Sequence, residues 1–285
     1  MLKIGIQKSG RISEESIKIL KKIGFKFSLE DQRQLFVNVE NFSAEILFLR
    51  SKEIPKYVRE NICDLGLVGK EVVFEQKEDV RIVKDLNFGQ CRISLAIPKK
   101  SAIRSVKDLK QKTIATSYPN ILLDFLKKNK IKAEIMEMNG SVELAPALEI
   151  GDAIFDIVSS GTTLQSNGLK ELQTVFQSEV VMIQNTNIQD SHKIKNIESI
   201  LLRIESVIQG EKTKYIMMNA YEKDIEKLKT ILPSIKSPTI VPLVEKDLYA
   251  IHSAVPAKDV WTIVEKLKEN GAFSILISSI ENIFL

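Results

Sequence analysis

The chain of 285 residues carries 41 Lys and Arg against 37 Asp and Glu, and 44% of its residues are hydrophobic. This balance is typical of folded globular proteins and argues against intrinsic disorder. The formal net charge of +4 is spread along the chain without a Lys/Arg block, so we expect no nucleic-acid partner. At roughly 100–200 residues per domain, the length predicts two or three domains.

Neither a membrane span nor a disulfide framework is predicted. The apolar runs are far shorter than the ~20 residues that a membrane-spanning helix needs. Met1 is followed directly by a predicted strand rather than by a signal peptide, so we expect a cytoplasmic protein without membrane contact. Two cysteines exclude a disulfide framework, and two histidines exclude a histidine-rich metal site. A carboxylate site for Mg²⁺ is not excluded.

The first 90 residues alternate between predicted strands and helices. The strands are expected at residues 2–7, 44–50 and 64–68, and the helices at residues 13–24, 54–60 and 71–76. Ser13 is the expected N-cap of the first helix, and Gly24 its expected end. Strands separated by helices predict an α/β fold with a largely parallel sheet.

A second α/β segment is predicted from residue 90 to 179. Its expected elements are an apolar stretch at 93–98, a helical turn at 106–109, strands at 113–116, 133–138 and 155–158, and helices at 120–128 and 142–150. A strand at 180–184 then returns to the first segment, and a helix at 196–209 follows. The order predicts two lobes, the first formed by residues 1–89 and 180–209 and the second by residues 90–179.

The tail from residue 210 to 285 is predicted to be a separate domain. Its expected strands are at 215–219, 239–244, 248–255 and 274–278, and its expected helices at 222–232 and 258–270. The second helix is amphipathic, with Val260, Ile263, Val264 and Leu267 on one face. The order βαββαβ is that of a ferredoxin-like module.

The strongest local pattern for function runs from residue 152 to 169. An apolar strand leads into small and hydroxylated residues, which are Ser159, Ser160, Gly161, Thr162 and Thr163. Small residues let successive backbone N–H groups point at one anion, and a following helix N-terminus favours negative charge. This pattern predicts a phosphate-binding loop of a ribose 5-phosphate enzyme. The alternative is an ordinary turn capped by Ser and Thr.

Two acidic residues precede this loop, and a third lies in a predicted turn before a helix. Asp152 and Asp156 suit ribose hydroxyls or a Mg²⁺ ion that bridges to diphosphate, although Asp152 is also compatible with a helix end. Glu143 is predicted to be a ribose- or metal-directed carboxylate facing Asp156, or an ordinary helix-capping acid. Tyr118 follows a predicted strand and is either a packing residue or an aromatic wall for a base.

Four cationic residues in the first 50 positions are candidates for binding a polyphosphate, which requires several cations at once. Lys8 and Arg11 follow the first strand, at the carboxyl edge where ligands collect in open α/β sheets. Arg50 closes the second strand, and Arg33 lies in a polar segment. The alternative for each is a solvated surface charge.

Together these segments resemble the ATP phosphoribosyltransferase that opens histidine biosynthesis. The segments that carry the resemblance are residues 7–11 (QKSGR), 88–92 (FGQCR), 114–119 (IATSYP), 139–146 (NGSVELAP) and 152–169. The tail is similar to that of the long, self-regulated form. The resemblance implies two catalytic lobes like those of type II periplasmic binding proteins, followed by a ferredoxin-like regulatory domain.

In that family, phosphoribosyl is transferred from phosphoribosyl diphosphate to the adenine ring of ATP, with Mg²⁺ and release of diphosphate. The resemblance implies that residues 159–163 hold the 5-phosphate and that Asp152 and Asp156 hold the ribose. Lys8, Arg11, Arg33 and Arg50 would meet ATP phosphates or the leaving diphosphate, with Tyr118 beside ATP. The resemblance further implies that the catalytic residues are Lys8, Arg33, Arg50 and Glu143.

The resemblance also implies regulation and assembly. Histidine is the expected feedback inhibitor, and the matching positions in the tail are Asn219, Thr239 and Ser274. A homo-hexamer is expected, with a dimer as the alternative. The main competing function is a non-catalytic, two-lobed anion-binding module, and a third is a small-molecule sensor built on the tail alone.

Overall fold

The computed structural model describes residues 1–29, 34–158, 161–233 and 237–284. The chain divides into two compact units, residues 1–196 and residues 197–285, and the boundary falls inside the helix Ser191–Glu211. Within the described residues, no helix has the length and apolar character needed to cross a membrane.

The first sheet of residues 1–196 has six strands. They are β1 (Leu2–Gln7), β2 (Phe36–Asn38), β3 (Ala44–Leu49), β4 (Leu65–Gly69), β5 (Val80–Asp85) and β11 (Val180–Asn185), in the order β2-β3-β1-β4-β11-β5. β1 pairs in parallel with β3 and β4, whereas β11 is antiparallel to both β4 and β5. The central strands are apolar on both faces because helices and loops cover them; Ile4, Ile46 and Leu67 are fully buried.

Three helices connect the strands of this sheet: α1 (Arg11–Lys22), α2 (Ile54–Arg59) and α3 (Lys70–Gln76). α2 lies against β4 and buries Ile54 and Val58 completely. This close contact depends on Gly66, where a Cβ atom would come within 2.6 Å of Ile54 Cγ2. Any larger residue at position 66 would push α2 away from the sheet.

The second sheet of residues 1–196 has five strands. They are β6 (Cys91–Pro98), β7 (Thr113–Thr116), β8 (Glu134–Glu137), β9 (Ala153–Val158) and β10 (Leu169–Ser178), in the order β10-β6-β9-β7-β8. β7, β8 and β9 are parallel, and β6 is antiparallel to β9 and β10. α4 (Pro119–Lys128) packs its buried Leu122 and Leu126 with Phe155 in one hydrophobic cluster, and the short α5 (Thr162–Ser166) follows β9.

The chain passes from the first sheet to the second between β5 and β6 and returns between β10 and β11. The carboxyl ends of β7 and β9 and the first residue of β6 lie at one edge of the second sheet, because β6 runs opposite to β9. We call the segments β5–β6 and β10–β11 the two crossings. Both lie at the edge of the second sheet where β7 and β9 end.

Residues 197–285 contain most of the helix α6 (Ser191–Glu211) and a four-stranded antiparallel sheet in the order β13-β14-β12-β15. Its elements are β12 (Thr213–Tyr221), α7 (Ile225–Ile231), β13 (Thr239–Pro242), β14 (Leu248–Pro256), α8 (Val260–Glu269) and β15 (Phe273–Ser279). Leu228 and Leu267 pack from the helices with Ile216 and Ile251 of the sheet. The predicted α/β fold and the βαββαβ tail are confirmed.

Two predicted helices differ from those observed. The first helix begins at Arg11, because Gly10 has a positive φ of 86° and forms the N-cap; Ser13 lies inside the helix and is buried, so its predicted capping role is wrong. The predicted helix at 142–150 is reduced to a 3₁₀ turn, Val142–Leu144. Pro146 lacks the N–H that a continuing helix would require.

Four strands were not predicted as strands: β2, β5 and β10, and also β6, for which only an apolar stretch at 93–98 was expected. β2, β5 and β10 lie at the edges of their sheets, and β5 and β10 carry half-exposed polar side chains. β5 and β10 consequently lack the apolar run of a buried strand, and β2 has only three residues.

We expect Ser16→Ala to raise the free energy of unfolding by about 1 kcal/mol. Among the described residues, the Ser16 hydroxyl in α1 is the buried side-chain polar atom that has no hydrogen-bond partner, and an unpaired buried hydroxyl destabilises the folded state. Urea unfolding measures the change. The matched control is Ser94→Ala, which removes an equally buried hydroxyl that donates to Glu171 and should lower the free energy. Destabilisation by Ser16→Ala would contradict the prediction.

Candidate active site

Two of the predicted cations lie side by side at the carboxyl edge of the first sheet. β1 ends before Lys8 and β3 ends before Arg50, and the Lys8 N–H donates to the Leu49 carbonyl at 2.8 Å. Arg11 is the first residue of α1, directly after Gly10. All three cationic side chains are exposed, so this edge presents positive charge to solvent.

A groove of about 270 Å³ lies next to these residues. Lys8, Ser9, Ser13 and Phe48 contribute to its lining, together with the backbone turn at Gly10. Its lining combines polar groups with the apolar side chains of Ile17, Leu29 and Phe48, a mixture that is typical of small-molecule sites. Arg33, the fourth predicted cation, lies outside the described residues.

The predicted phosphate loop follows β9. Gly161 has a φ of 82°, a left-handed conformation that favours glycine, and Thr162 and Thr163 begin α5 with exposed side chains. Leu164 is buried and anchors the turn in the cluster that also contains Val158. Ser159 and Ser160 lie outside the described residues, so the described part of the loop consists of Gly161, Thr162 and Thr163.

Asp156 and Glu143 are brought together. Asp156 is half-buried on β9, and burial is the main cause that raises its pKa; the negative charge of Glu143 acts in the same direction, while the Ile157 N–H, which donates to Asp156 at 2.8 Å, opposes it. The influence of Glu143 on Asp156 requires the two carboxylates to be close. Their proximity agrees with the predicted pairing of these residues.

Asp152 lies elsewhere. It precedes β9, at the opposite end of the strand from Gly161. Its carboxylate accepts hydrogen bonds from Lys112 Nζ and the Thr113 N–H, both at 3.0 Å. The structure therefore does not bring Asp152 to the loop, and its bonds tie the start of β9 to the start of β7. The predicted ribose and Mg²⁺ roles of Asp152 are not supported by this position.

Tyr118 is the N-cap residue of α4, at the carboxyl end of β7. Burial raises the pKa of its phenol, and the charges of Glu71 and Asp156 raise it further. The phenol consequently stays protonated and is available as a hydrogen-bond donor. Tyr118 thus lies near residues from both sheets, since Glu71 belongs to α3 and Asp156 to β9.

A buried polar cluster at this position was not predicted from the sequence. Ser178, at the end of β10, donates to the Glu71 carboxylate, which is only 5% exposed. The same carboxylate lies so close to Gly69 that a Cβ atom there would collide with it. Glu71 and Ser178 are 107 residues apart in the chain, so no local sequence pattern connects them.

Cys91 adjoins this cluster at the start of β6. Burial raises the pKa of its thiol to about 11, and Glu71 adds to the effect, while Ser178 and Arg11 oppose it. The thiol is therefore neutral near pH 7 and is not an activated nucleophile. Arg11, the first residue of α1, is among the charges that act on the Cys91 thiol.

A second network surrounds Glu171 on β10. Its carboxylate accepts hydrogen bonds from Arg92 Nε at 3.0 Å, Arg92 Nη2 at 2.9 Å, Ser94 Oγ at 2.6 Å and Thr174 Oγ1 at 2.7 Å. These donors, above all Arg92, lower the pKa of Glu171 to about 2. In the sheet, Ser94 pairs with Asp156 and Arg92 with Val158. The network therefore fixes the strand next to the phosphate loop.

The predicted effector residues lie on three strands of residues 197–285. Asn219 is on β12, where it pairs with Ala250 and Phe273; Thr239 is on β13, where it pairs with His252; Ser274 is on β15 with a φ of 51°. A shallow cavity of about 460 Å³ in this unit is lined by other residues, Tyr221, Glu222, Lys223 and Asp247. Asn219 and Ser274 lie on the paired strands β12 and β15, and Thr239 lies on β13, so their effector role stays a prediction.

Comparison with known proteins identifies relatives along the whole chain. Residues 50–206 match the family model described as ATP phosphoribosyltransferase, and residues 210–282 match the one described as HisG, C-terminal domain. The ATP phosphoribosyltransferase of Cytophaga hutchinsonii is 45% identical over 99% of this chain and 98% of its own length. That of Azobacteroides pseudotrichonymphae is 44% identical over 100% of both chains.

Solved structures agree with these relatives. The ATP phosphoribosyl transferase (HisG:HisZ) complex from Thermotoga maritima matches with a TM-score of 0.61 and 27% identity, covering 72% of this chain and 99% of that chain. The substrate-binding protein of an amino acid ABC transporter matches with a TM-score of 0.50 and 16% identity, covering 73% and 93%. The second likeness concerns the fold alone, and it is consistent with the predicted binding-protein-like lobes.

We expect Glu171→Gln to destabilise the protein above about pH 4.5 and to have a vanishing effect as the pH falls towards 2. The pKa of Glu171 is lowered from 4.5 to about 2 in the folded state. The ionised carboxylate therefore stabilises the fold fully above about pH 4.5, and this stabilisation is lost as the pH falls towards 2. Urea unfolding between pH 3 and pH 7 measures it. Glu15→Gln, which removes an exposed ion pair with Lys18, should leave the profile nearly unchanged. A pH-independent effect of Glu171→Gln would contradict the assignment.

Proposed function

The chain belongs to the ATP phosphoribosyltransferase family of histidine biosynthesis, and from this premise we propose which of its residues carry the reaction. The protein is a pentosyltransferase, and the alternatives of a non-catalytic anion-binding module and of a sensor built on the tail fail against full-length relatives that carry this activity in their names. The proposed substrates are ATP and phosphoribosyl diphosphate. In the reaction, the bond between the anomeric carbon and diphosphate breaks, and a bond from that carbon to an adenine ring nitrogen forms.

The phosphoribosyl donor is proposed to bind at the carboxyl edge of the second sheet. The observation that carries this proposal is that three predicted site residues lie at the carboxyl ends of neighbouring parallel strands: Tyr118 follows β7, Glu143 follows β8, and Asp156 lies near the end of β9. The charge of Asp156 acts on Tyr118, and that of Glu143 acts on Asp156. Residues 159–163 bind the 5-phosphate through backbone N–H groups and hydroxyls. Asp156 binds the ribose hydroxyls. Asp152 has no part in this proposal because its carboxylate is engaged at the other end of β9.

The ATP phosphates and the departing diphosphate are proposed to meet the cations of the first sheet. Lys8, Arg11 and Arg50 are exposed at one sheet edge, and Arg11 influences Cys91 at the start of the second sheet. Negative charge on the leaving group grows in the transition state, so cations aimed at it accelerate the reaction rather than only tightening binding. Arg33 stays a predicted member of this set.

Magnesium is proposed to bind with the donor diphosphate. Among the described residues, no group of three or more His, Cys, Asp or Glu side chains is arranged to hold a metal ion by itself. Mg²⁺ that is bound mainly by substrate phosphates needs only one or two protein carboxylates, and Asp156 with Glu143 fits that requirement. The ion would neutralise charge on the diphosphate. Tyr118 then donates a hydrogen bond towards the bound nucleotide.

Regulation and assembly are proposed from the family. Histidine binding to residues 210–285 would inhibit the enzyme, with Asn219, Thr239 and Ser274 as the proposed contacts. Because these residues lie on three strands, such a pocket would require groups beyond the three. The homo-hexamer, the division of the catalytic part into lobes at residues 89, 179 and 209, and the cytoplasmic location stay predictions.

We expect the purified protein to release diphosphate only when ATP and phosphoribosyl diphosphate are both present. A coupled diphosphate assay measures the rate. Chelation of Mg²⁺ should abolish the signal and excess Mg²⁺ should restore it, whereas histidine should reduce it. Hydrolysis of the donor without ATP would contradict the transfer reaction. Full activity in the presence of histidine would contradict only the regulatory proposal.

We expect Asp156→Asn to lower kcat/KM for phosphoribosyl diphosphate by on the order of 100-fold, because the amide cannot replace a carboxylate that accepts from ribose hydroxyls and binds Mg²⁺. Asp152→Asn is the matched control on the same strand. It should weaken the bond to Lys112 and lower thermal stability, with kcat/KM changed less than about threefold. Steady-state kinetics and thermal unfolding separate the two effects. If Asp152→Asn has the larger kinetic effect, the proposed donor site is wrong.

A further inference from the structure

The helices α3 and α4 join the two sheets through a buried carboxylate. Glu75, near the end of α3, accepts a hydrogen bond from the Asn120 N–H at 2.9 Å and from the Ile121 N–H at 3.0 Å. These N–H groups belong to the first turn of α4, where no intrahelical acceptor exists. Glu75 is only 5% exposed. One side chain thus binds the beginning of a helix that belongs to the other sheet.

Asn120 also donates a hydrogen bond from α4 to α3. The Asn120 side-chain amide donates to the backbone carbonyl of Glu75 at 2.9 Å, which is one of the unsatisfied carbonyls at the end of α3. Tyr118, the N-cap residue of α4, makes no side-chain capping bond of its own. Each helix end is therefore capped by a residue of the other helix. We call Glu75 and Asn120 the clasp.

The clasp is not explained by the stability of α3 alone. A carboxylate near the carboxyl end of a helix faces the negative end of the helix dipole, which is unfavourable, and burial adds a desolvation cost. Both costs are offset only by the two charge-assisted bonds to α4. Glu75 is unfavourable for α3 itself, so its contribution to the structure is the contact with α4.

The clasp adds a hydrogen-bonded connection between the two sheets to those that the chain itself makes. The chain itself crosses twice, between β5 and β6 and between β10 and β11. Two crossings alone permit the lobes of such a fold to rotate about them. α3 also carries Glu71, which binds Ser178 beside the second crossing, and its Phe74 ring lies 5.1 Å from Phe176 of β10. Through these contacts α3 packs against β10 as well as α4, next to the two crossings.

We propose that Glu75 and Asn120 are positioning residues for the transfer reaction, which hold Tyr118 and the donor-binding edge of the second sheet at a fixed distance from Lys8, Arg11 and Arg50. This inference rests on the proposed location of the two substrate sites. Neither residue of the clasp touches substrate. Its effect on the rate arises because two substrates held on separate sheets react only when their atoms are aligned.

The test is Glu75→Gln, which keeps the size of the side chain and one acceptor oxygen but turns an NH₂ group towards one of the α4 N–H groups. We expect kcat to fall by on the order of tenfold, with small changes in the KM of either substrate. Amide hydrogen exchange at Asn120 and Ile121 should accelerate by a similar factor. Asn120→Ala removes only the reciprocal bond and should give a smaller change of the same kind; it carries the test if Glu75→Gln does not fold.

The matched control is Asp124→Asn. It breaks the exposed ion pair with Lys77, at 2.8 Å, which joins the same two helices, and it should leave both kcat and exchange unchanged. Faster exchange at Asn120 and Ile121 with unchanged kcat in Glu75→Gln would overturn the positioning role, as would an equal effect of Asp124→Asn. Failure of the proposed function has a different signature, since the wild-type protein would then lack diphosphate release altogether.

Discussion

The antiparallel insertion of β11 between β4 and β5 is the constraint on which the catalytic part of the chain depends. All six residues of β11 are buried, and Val181, Met182 and Ile183 are fully inaccessible. The first sheet is completed by a strand that follows the whole second-sheet segment in the chain. This long-range pairing fixes both crossings at one side of the molecule, and the residues beside them, Cys91 and Ser178, are drawn into the same polar cluster.

This arrangement places different charges at the ends of the two sheets. Exposed cations follow the strands of the first sheet, and half-buried carboxylates with a protonated phenol lie at the ends of those of the second. In the reaction proposed above, the first set would meet anionic phosphates, and the second set would meet ribose hydroxyls and a bound cation. Burial at Asp156 and Tyr118 strengthens each interaction because the local dielectric is low.

The sequence predicted those parts of the fold that have a local signature. β1, β7 and the βαββαβ tail follow from apolar periodicity, and the glycine and hydroxyl residues after β9 identify the loop. Asp152 and Asp156 could not be distinguished from each other, because their difference is a position along one strand and the partner of one of them, Lys112, is 40 residues away. The edge strands β5 and β10 were missed because they lack an apolar run, and the edge strand β2 because it has only three residues. Glu71 and Glu75 look like ordinary helix acids until their distant partners are known.

The close approach of Gly69 and Glu71 at the end of β4 limits which substitutions the chain tolerates at these two positions. The Glu71 carboxylate lies over Gly69 and accepts a hydrogen bond from Ser178. Even a methyl side chain at position 69 would collide with this carboxylate. A mutation at position 69 alone displaces the carboxylate and leaves Ser178 without its acceptor. A mutation that shortens residue 71 opens the space again. Among related sequences, positions 69 and 71 are therefore expected to covary, with a side chain at the first accompanied by a smaller residue at the second.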